Sequence, residues 1–426
     1  MNYTETLDWL TTQAAFGIHP GLERIEVLLA ALGNPQTAYR TIHVAGTNGK
    51  GSTVAMMSSV LTQSGIHTGR YTSPHLEEYT ERVAIDGEDI SQEKFAEYMT
   101  TVRRATETIV ADGIEMPTEF ELLTALAFLA FREEGCEYAV IETGMGGLLD
   151  STNVLVPAVS VITNVSMDHM RYCGNTVEEI ATHKAGIIKE GVPVVTAARG
   201  DSLSVIKKTA KEKHAKCFVW GREFSVEQRS PGAHGQIIKV SRPKQDVGMF
   251  FVPFFGVHQA VNASVAIMAL TVIGKDEPRL SEDALREGIA RSVWKGRFEV
   301  LSRRVPVVLD GAHNEDGATA LAMALDEVYP SASRVYVFSS LQDKDLEAVS
   351  RALFHENDRV ILVSAPTPRS RRPEEMQEIV QARTEVAASV AEGLERAMRE
   401  VPDDGVICVC GSLYLLGDAR QWLDAH

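Results

Sequence analysis

The sequence predicts a two-domain α/β protein, in which a large domain on a parallel sheet precedes a smaller α/β domain. Three observations predict this class. Apolar runs of four to six residues alternate with longer amphipathic stretches, the pattern of strand–helix units around a parallel sheet. The periodicity changes to strand-like near the middle of the chain. The strand–helix alternation then begins again in the last third.

The elements of the first domain follow from the apolar runs. The helix after the first strand places Val54, Met57 and Leu61 on one face and is expected to stop near Gly65. A second helix is predicted at about 118–131, with Phe120 on its apolar stripe. Strands are predicted at 41–45, 138–142, 159–163 and 192–196.

The middle and the end of the chain define the domain division. Residues from about Cys217 to Phe255 are strand-like with Gly and Pro breaks, so we predict a small antiparallel β insertion there. A fresh alternation starts near 305–309, which indicates a Rossmann-like second domain. The expected domains are therefore 1–295 and 296–426.

Composition restricts the classes of partner. The chain of 426 residues carries a formal net charge of −16, which argues against a general electrostatic attraction to nucleic acid or anionic membrane. Its five cysteines form no CxxC pair, which suits a reducing compartment. No run reaches 18 apolar residues, and the start lacks the basic region of a signal peptide. We expect a cytoplasmic monomer without nucleic-acid or membrane partners.

A glycine-rich turn between the first strand and its helix is the most informative motif. It contains Gly46 and, after two residues, Gly49-Lys50-Gly51-Ser52. Glycines let backbone N–H groups approach a phosphate, the helix N-terminus adds its dipole, and Lys50 neutralises charge. The alternative is a tight turn without a ligand, which the lysine disfavours. The first domain is thus predicted to be a phosphate-loop nucleotide-binding domain.

The spacing Gly-x-x-Gly-Lys resembles that of the Mur-ligase superfamily, and residues 43–52 are especially similar to its folylpolyglutamate synthase and dihydrofolate synthase branch. Further segments resemble that family in the family's order along almost the whole chain. These segments are 72–76, 81–82, 118–121, 142–147, 150–153, 168–169, 184–189, 258–263, 296–299, 310–314, 343–345 and 411–415.

The resemblance implies an ATP-dependent amide ligase. The γ-phosphate of ATP goes to a folate-type carboxylate, and the amine of L-glutamate attacks the acyl phosphate. The carboxylate can belong to dihydropteroate or to a reduced folate, and the sequence does not separate these two activities. Mg²⁺, in two ions, would reduce the repulsion between the anions that react.

The family's ligand positions carry over residue by residue. Lys50, Lys184 and His313 match catalytic positions, and the resemblance implies that Lys184 is carbamylated; the alternative is an exposed helical lysine. The positions that match ATP contacts are Thr47, Asn48, Gly49, Lys50, Gly51, Ser52, Asn262, Arg297 and Asp310. Ser73, Glu142 and His169 match metal ligands, and Thr118, Phe120, Asp150 and Ser151 match substrate contacts. For Phe120 a place in the core is equally compatible with the sequence.

Two positions depart from the family pattern. Leu148 stands where the family usually has arginine, and His183 where it usually has glutamate. Both flank proposed ligands, so a nucleotide-binding regulator or a low-activity relative is the alternative function. A peptidoglycan ligase is disfavoured, because the 45 residues before Gly46 are too few for a uridine-nucleotide domain. The arginines at 369, 371 and 372 suggest either a site for an anionic polyglutamate tail or, preferably, a solvated loop.

Overall fold

Strands and helices alternate along most of the chain. The structure is a computed structural model that describes residues 1–14, 19–243 and 245–426. The strands are β1 (Arg40–Ala45), β2 (Thr68–Tyr71), β3 (Val83–Ile85), β4 (Glu88–Asp89), β5 (Tyr138–Glu142), β6 (Val159–Ile162), β7 (Val194–Thr196), β8 (Cys217–Val219), β9 (Ser225–Gly232), β10 (Gly235–Arg242), β11 (Gln245–Val252), β12 (Glu299–Ser302), β13 (Pro306–Asp310), β14 (Arg334–Phe338), β15 (Arg359–Leu362), β16 (Arg383–Val386) and β17 (Val406–Cys410).

The helices cover the faces of the sheets and connect their parallel strands. They are α1 (Tyr3–Ala14), α2 (Glu23–Ala31), α3 (Lys50–Gln63), α4 (Gln92–Ala111), α5 (Glu119–Glu133), α6 (Met170–Cys173), α7 (Val177–Ala185), α8 (Gly200–Glu212), α9 (Val257–Ile273), α10 (Glu282–Ala290), α11 (Glu315–Val328), α12 (Leu346–Leu353), α13 (Pro373–Gln377), α14 (Val390–Glu400) and α15 (Leu413–Ala425). Among the described residues, none of these helices is both long and apolar enough to cross a membrane.

The largest sheet has the strand order β4-β3-β2-β5-β1-β6-β7-β8. The pairs from β2 to β8 are parallel, and β3 and β4 are added antiparallel at one edge. β1 lies near the centre and is buried from its second residue onward. Because β5 and β6 flank β1 in parallel, the segments that follow these three strands meet at one edge of the sheet. The predicted parallel sheet is confirmed.

The β insertion begins later than the sequence suggested. Cys217 was expected to open it, but β8 pairs in parallel with β7 and extends the large sheet. β8 has three residues, and a run this short does not indicate which strand it pairs with. The insertion itself is a three-stranded sheet with the order β11-β10-β9.

The last part of the chain forms a six-stranded sheet with the order β12-β13-β17-β14-β15-β16. All neighbours are parallel except β12, which is antiparallel to β13. Cys408 and Cys410 on β17 are fully buried. The α/β class with a second smaller α/β sheet is therefore confirmed.

The residues group into two compact units. The first comprises Met1–Arg229, Ile238–Phe251 and Val261–Ser292, and the second comprises Ser230–Ile237, Val252–Ala260 and Val293–His426. Two short segments that precede Val293 thus group with the later residues. The division at 295/296 stays a prediction.

Candidate active site

The phosphate loop has the backbone geometry that its glycines predicted. Gly46 (φ +154°) and Gly49 (φ +80°) both have positive φ. A Cβ at Gly46 would overlap Thr163 Oγ1, and one at Gly49 would lie 2.5 Å from Asn262 Oδ1. Only glycine fits these positions, because the neighbouring side chains approach the backbone closely. Asn262, on α9, therefore lies directly against the loop.

The segment after β6 holds the phosphate loop from the side. Thr163 Oγ1 donates a hydrogen bond to Asn48 O (2.6 Å), and Asn48 N–H donates to Asn164 Oδ1 (2.8 Å). Thr47 Oγ1 donates to Ser166 O at 3.1 Å. Gly51 and Ser52 are buried in the first turn of α3. The loop is thus fixed before any ligand arrives.

Lys50, Glu142 and Ser73 lie together at the ends of neighbouring strands. Glu142 is the last residue of β5, is 4% exposed, and pairs in register with Val44 of β1. Lys50 Nζ lies 3.9 Å from Glu142 Oε1 and donates to Gly46 O at 3.2 Å. Ser73 N–H donates to Glu142 Oε2 at 3.4 Å. A cation, a carboxylate and a hydroxyl residue therefore adjoin the loop.

The donor set around Glu142 fits a magnesium ion that keeps water and phosphate ligands. Among the described residues, no three His, Cys, Asp or Glu side chains gather closely enough to hold a metal by themselves. Mg²⁺ is usually bound by one or two carboxylates together with waters and substrate phosphates. One buried carboxylate beside a phosphate loop matches that chemistry, whereas a cage made only of protein ligands does not.

His169 follows shortly after Ser166, in the segment after β6 that holds the phosphate loop. It has a left-handed backbone (φ +51°) immediately before α6, and its side chain is 38% exposed. Its Nε2 lies 3.7 Å from Asp168 Oδ2. The half-exposed imidazole is accessible to a ligand, while its role as a metal ligand stays a prediction.

Lys184 is buried, contrary to the alternative of an exposed helical lysine. It is 3% exposed near the end of α7, where it precedes the tight turn at Gly186. Burial and the positive charge of Lys50 lower the pKa of its ammonium to about 7. A substantial fraction of this amine is therefore neutral near pH 7, which makes it nucleophilic.

The loop from Met145 to Ser151 is organised by Asp150. This carboxylate is buried, which raises its pKa, and it accepts hydrogen bonds from Met145 N–H (2.8 Å) and Thr152 N–H (3.0 Å). Ser151 is also buried and begins a short 3₁₀ helix, Ser151–Val154. The contacts of Asp150 show that it supports its own loop; direct contact of Asp150 and Ser151 with substrate stays a prediction.

Thr118 and Phe120 begin α5 beside this loop. Thr118 caps the helix through a reciprocal pair with Glu121, whose Oε2 accepts from Thr118 N–H at 2.7 Å. The ring of Phe120 is half-buried and packs against the core, and a Cβ at Gly144 would lie 2.5 Å from Phe120 Cζ. The ring thus belongs partly to the core and partly to the edge of the Glu142 turn.

Arg297, Asp310 and His313 belong to the second unit and lie near one another there. Asp310 accepts from Phe298 N–H (2.7 Å) and Ala312 N–H (2.8 Å), so it joins the segments on either side of β12 and β13. Burial raises the pKa of Asp310, and Arg297 opposes that shift. His313 Nδ1–H donates to Gly311 O at 2.8 Å, which leaves the lone pair of a neutral ring on Nε2.

The two departures from the family pattern are neighbours in space. Leu148 N–H donates to His183 O at 2.7 Å, and Leu148 is 42% exposed. The replacement of a cation and an anion by two other residues therefore occurs at one place. The family's usual arginine and glutamate, which carry opposite charges, would thus be neighbours here.

The arginine cluster at 369–372 makes contacts within its own surface region. Arg369 pairs with Asp343 (2.8 Å) and Arg372 pairs with Glu375 (2.5 Å). Both guanidinium groups are more than half exposed. This arrangement favours the solvated-loop interpretation.

The residues that support the loops were not among the predicted site residues. Thr163, Asn164 and Ser166 could have been found, because they follow a parallel strand next to β1. His43 and Thr152 lie inside recognised motifs but were given no role, since the hydrogen bond between them joins residues 109 positions apart.

Two Mur ligase family models match successive parts of the chain. Residues 44–270 match the Mur ligase middle domain, and residues 296–413 match the Mur ligase glutamate ligase domain. A folylpolyglutamate synthase of Lacticaseibacillus casei is 37% identical over 427 residues, which cover 99% of each chain. A dihydrofolate synthase/folylpolyglutamate synthase of Bacillus subtilis is 34% identical over 440 residues, again 99% of each chain.

A solved structure extends the similarity to three dimensions. The Mycobacterium tuberculosis folylpolyglutamate synthase complexed with ADP superposes with a TM-score of 0.90 at 31% identity, covering 99% of this chain and 98% of that one. A phosphate loop on a parallel sheet and a following glutamate ligase domain define a Mur-type ligase. Within that class, the chain belongs to the folylpolyglutamate synthase/dihydrofolate synthase family. The family resemblance of the motifs is confirmed.

Proposed function

We propose that the protein is an ATP-dependent ligase that joins the amine of L-glutamate to the carboxylate of a folate-type substrate. The observation that carries this proposal is the cluster of Lys50, Glu142 and the phosphate loop, within a chain that matches such ligases over its whole length. A carboxylate alone is a poor electrophile, so an ATP site beside the substrate carboxylate supplies the activation that amide formation needs.

The phosphate loop and α3 hold the triphosphate of ATP. Backbone N–H groups of residues 49–51, at the N-terminus of α3, face the anion, and Lys50 neutralises charge on the transferring phosphoryl group. Asn262, held against Gly49, and Ser52 complete the contacts on this side. Arg297 and Asp310 are assigned to ATP through the family resemblance, and Asp310 accepts a hydrogen bond from Phe298 N–H, next to Arg297.

Mg²⁺ is assigned to Glu142, Ser73 and His169. When bound, the ions supply charge neutralisation that lets the two anions, ATP and the carboxylate, approach each other. The chain's own part is to present one buried carboxylate and to leave the remaining ligand positions to water and phosphate. We infer two ions, with the second near Lys184.

Lys184 is proposed to carry a carbamate. Its neutral amine attacks CO₂, a C–N bond forms, and one proton leaves, so that a cation becomes an anionic oxygen ligand. The lowered pKa of this buried amine supports the proposal, because an ammonium ion cannot attack CO₂.

The reaction then requires two transfers. The substrate carboxylate takes the γ-phosphoryl group and ADP leaves; the amine of L-glutamate attacks the acyl phosphate, and phosphate leaves as the amide forms. Phe120 and Thr118 would contact the heterocycle, and Asp150 and Ser151 would line the adjacent loop. His313 is proposed to orient the incoming glutamate. Positioning and electrostatic stabilisation are the protein's contribution.

The test is ADP release by purified protein with ATP, Mg²⁺ and L-glutamate, with dihydropteroate in one arm and a reduced monoglutamyl folate in the other. Turnover in both arms would indicate a bifunctional enzyme, and turnover with the folate alone a tail-extending enzyme. Lys50→Ala is the control for contaminating ATPases.

No turnover above that control in either arm would contradict the proposal and favour a nucleotide-binding regulator. The double reversion Leu148→Arg/His183→Glu would then show whether the neighbouring departures removed the activity. We also propose a cytoplasmic monomer without nucleic-acid or membrane partners, which gel filtration with light scattering tests for the oligomeric state.

A further inference from the structure

A buried line of hydrogen bonds joins the strand before the phosphate loop to the Asp150 loop. His43 of β1 is fully buried, and its Nε2 lies 2.8 Å from Thr152 Oγ1. Thr152 Oγ1 lies 2.5 Å from Asp150 Oδ1. The other oxygen of Asp150 accepts Met145 N–H at 2.8 Å. Four residues from two segments that lie about a hundred positions apart are thus linked in series.

The direction of the hydrogen bonds follows from the chemistry of the groups. Burial raises the pKa of the Asp150 carboxyl, but backbone N–H groups of Met145 and Thr152 donate to its two oxygens and oppose that shift, an arrangement that fits the ionised carboxylate. An ionised carboxylate only accepts, so the Thr152 hydroxyl donates its single hydrogen to Asp150. His43 must therefore donate to Thr152 through Nε2–H, and the proton of its neutral ring is on Nε2.

The same assignment explains an otherwise unusual atom. His43 Nδ1 is buried and has no hydrogen-bond partner among the described residues. Burial, with a smaller effect of Lys189, lowers the pKa of His43 to about 3, so the ring is neutral at physiological pH. A buried polar atom without a partner destabilises the folded protein. A phenylalanine or leucine would avoid that cost, so the hydrogen bond to Thr152 is what a histidine adds at this position.

We propose that His43 is a positioning residue for the Asp150 loop, and through that loop for the folate-type substrate, and that it is not a support of the nucleotide site. The inference rests on the proposed function, because it assigns the substrate whose binding His43 affects. His43 precedes Gly46 by only three positions, yet its side chain contacts Thr152. The phosphate loop has its own anchors in Thr163 and Asn164.

The test compares Michaelis constants in variants at both ends of the bond. His43→Phe and Thr152→Val each remove one partner while keeping a similar volume. Each is expected to raise the KM for the folate-type substrate at least about tenfold, since the loss of one buried hydrogen bond costs about 1.4 kcal/mol. The KM for ATP should stay within about twofold. His43→Gln and Thr152→Ser retain a donor and a hydroxyl and should restore most of the affinity.

A double variant and a strand control separate positioning from general damage. If the two residues act through one hydrogen bond, the double variant His43→Phe/Thr152→Val should have a KM for the folate-type substrate no higher than that of the more affected single variant. Thr41→Val changes a buried residue on the same strand and the same face as His43, and should leave both constants unchanged. Equal increases in the KM for ATP and for the folate, or multiplied effects in the double variant, would overturn the proposal.

A nitrogen NMR measurement, which does not depend on enzyme turnover, distinguishes this inference from the proposed function. In ¹⁵N-histidine-labelled protein at pH 7, His43 should show the Nε2–H tautomer, and Thr152→Val should shift that nitrogen resonance. The Nδ1–H tautomer, or no response to Thr152→Val, would contradict the hydrogen-bond line even in an active ligase. The expected tautomer in a protein that forms no amide would instead contradict only the proposed function.

Discussion

The buried Lys184 makes stability depend on pH in a direction that can be calculated. Its pKa is lowered to about 7 in the folded protein, whereas an unfolded chain restores the ordinary value near 10.5. Between these values the unfolded chain binds more protons at this position than the folded chain does. Stability therefore rises with pH, by at most about 1.4 kcal/mol per pH unit. Below about pH 7 both states are protonated, and the cost of burying the charge is fully present.

The assay compares wild-type protein with Lys184→Met by urea unfolding at pH 7 and pH 9 in CO₂-free buffer. Taking the difference between the two proteins removes the contributions of other titrating groups. Between pH 7 and pH 9, the free energy of unfolding of the wild type should rise by about 2 kcal/mol relative to that of the variant. A difference that does not change with pH would refute the reasoning, because it would mean that water or a counter-charge stabilises the ammonium.

The remaining predictions concern the modification of Lys184, the phosphate loop and the metal site. With ¹³C-bicarbonate at pH 8, wild-type protein should show a carbamate resonance that Lys184→Met lacks; an equal signal in the variant would place the carbamate elsewhere. Gly49→Ala should weaken ADP binding at least tenfold by calorimetry, whereas Gly65→Ala, which also has positive φ but meets nothing within 4 Å, should not. Glu142→Gln should raise the Mg²⁺ concentration for half-maximal ADP release about tenfold, with exposed Glu137→Gln as the matched control; equal behaviour of the two variants would remove Glu142 from the metal site.

Sequence patterns predicted the elements whose burial is nearly complete. The runs that became β1 and β5 are buried over nearly their whole length, because both faces of a central parallel strand are covered. The phosphate loop was also predictable, since glycine and lysine at that spacing serve a local conformation. For such features the neighbours in the chain carry most of the information.

Features that depend on distant partners were not predictable in the same way. The three residues of β8 find their place through β7, and nothing in so short a run identifies that partner. Phe120 remained ambiguous because it packs on the core and also on the Gly144 turn. The burial of Lys184 depends on how α7 packs, and the contact between His43 and Thr152 depends on the alignment of β1 with a later loop.

The central claim is that the protein activates a folate-type carboxylate as an acyl phosphate and transfers it to L-glutamate. The most direct measurement uses substrate labelled with ¹⁸O in that carboxylate, together with ATP, Mg²⁺ and L-glutamate. The account predicts that one ¹⁸O atom appears in the inorganic phosphate for each amide formed, and that Lys50→Ala forms neither product. Amide formation with unlabelled phosphate, or phosphate release without amide, would contradict it.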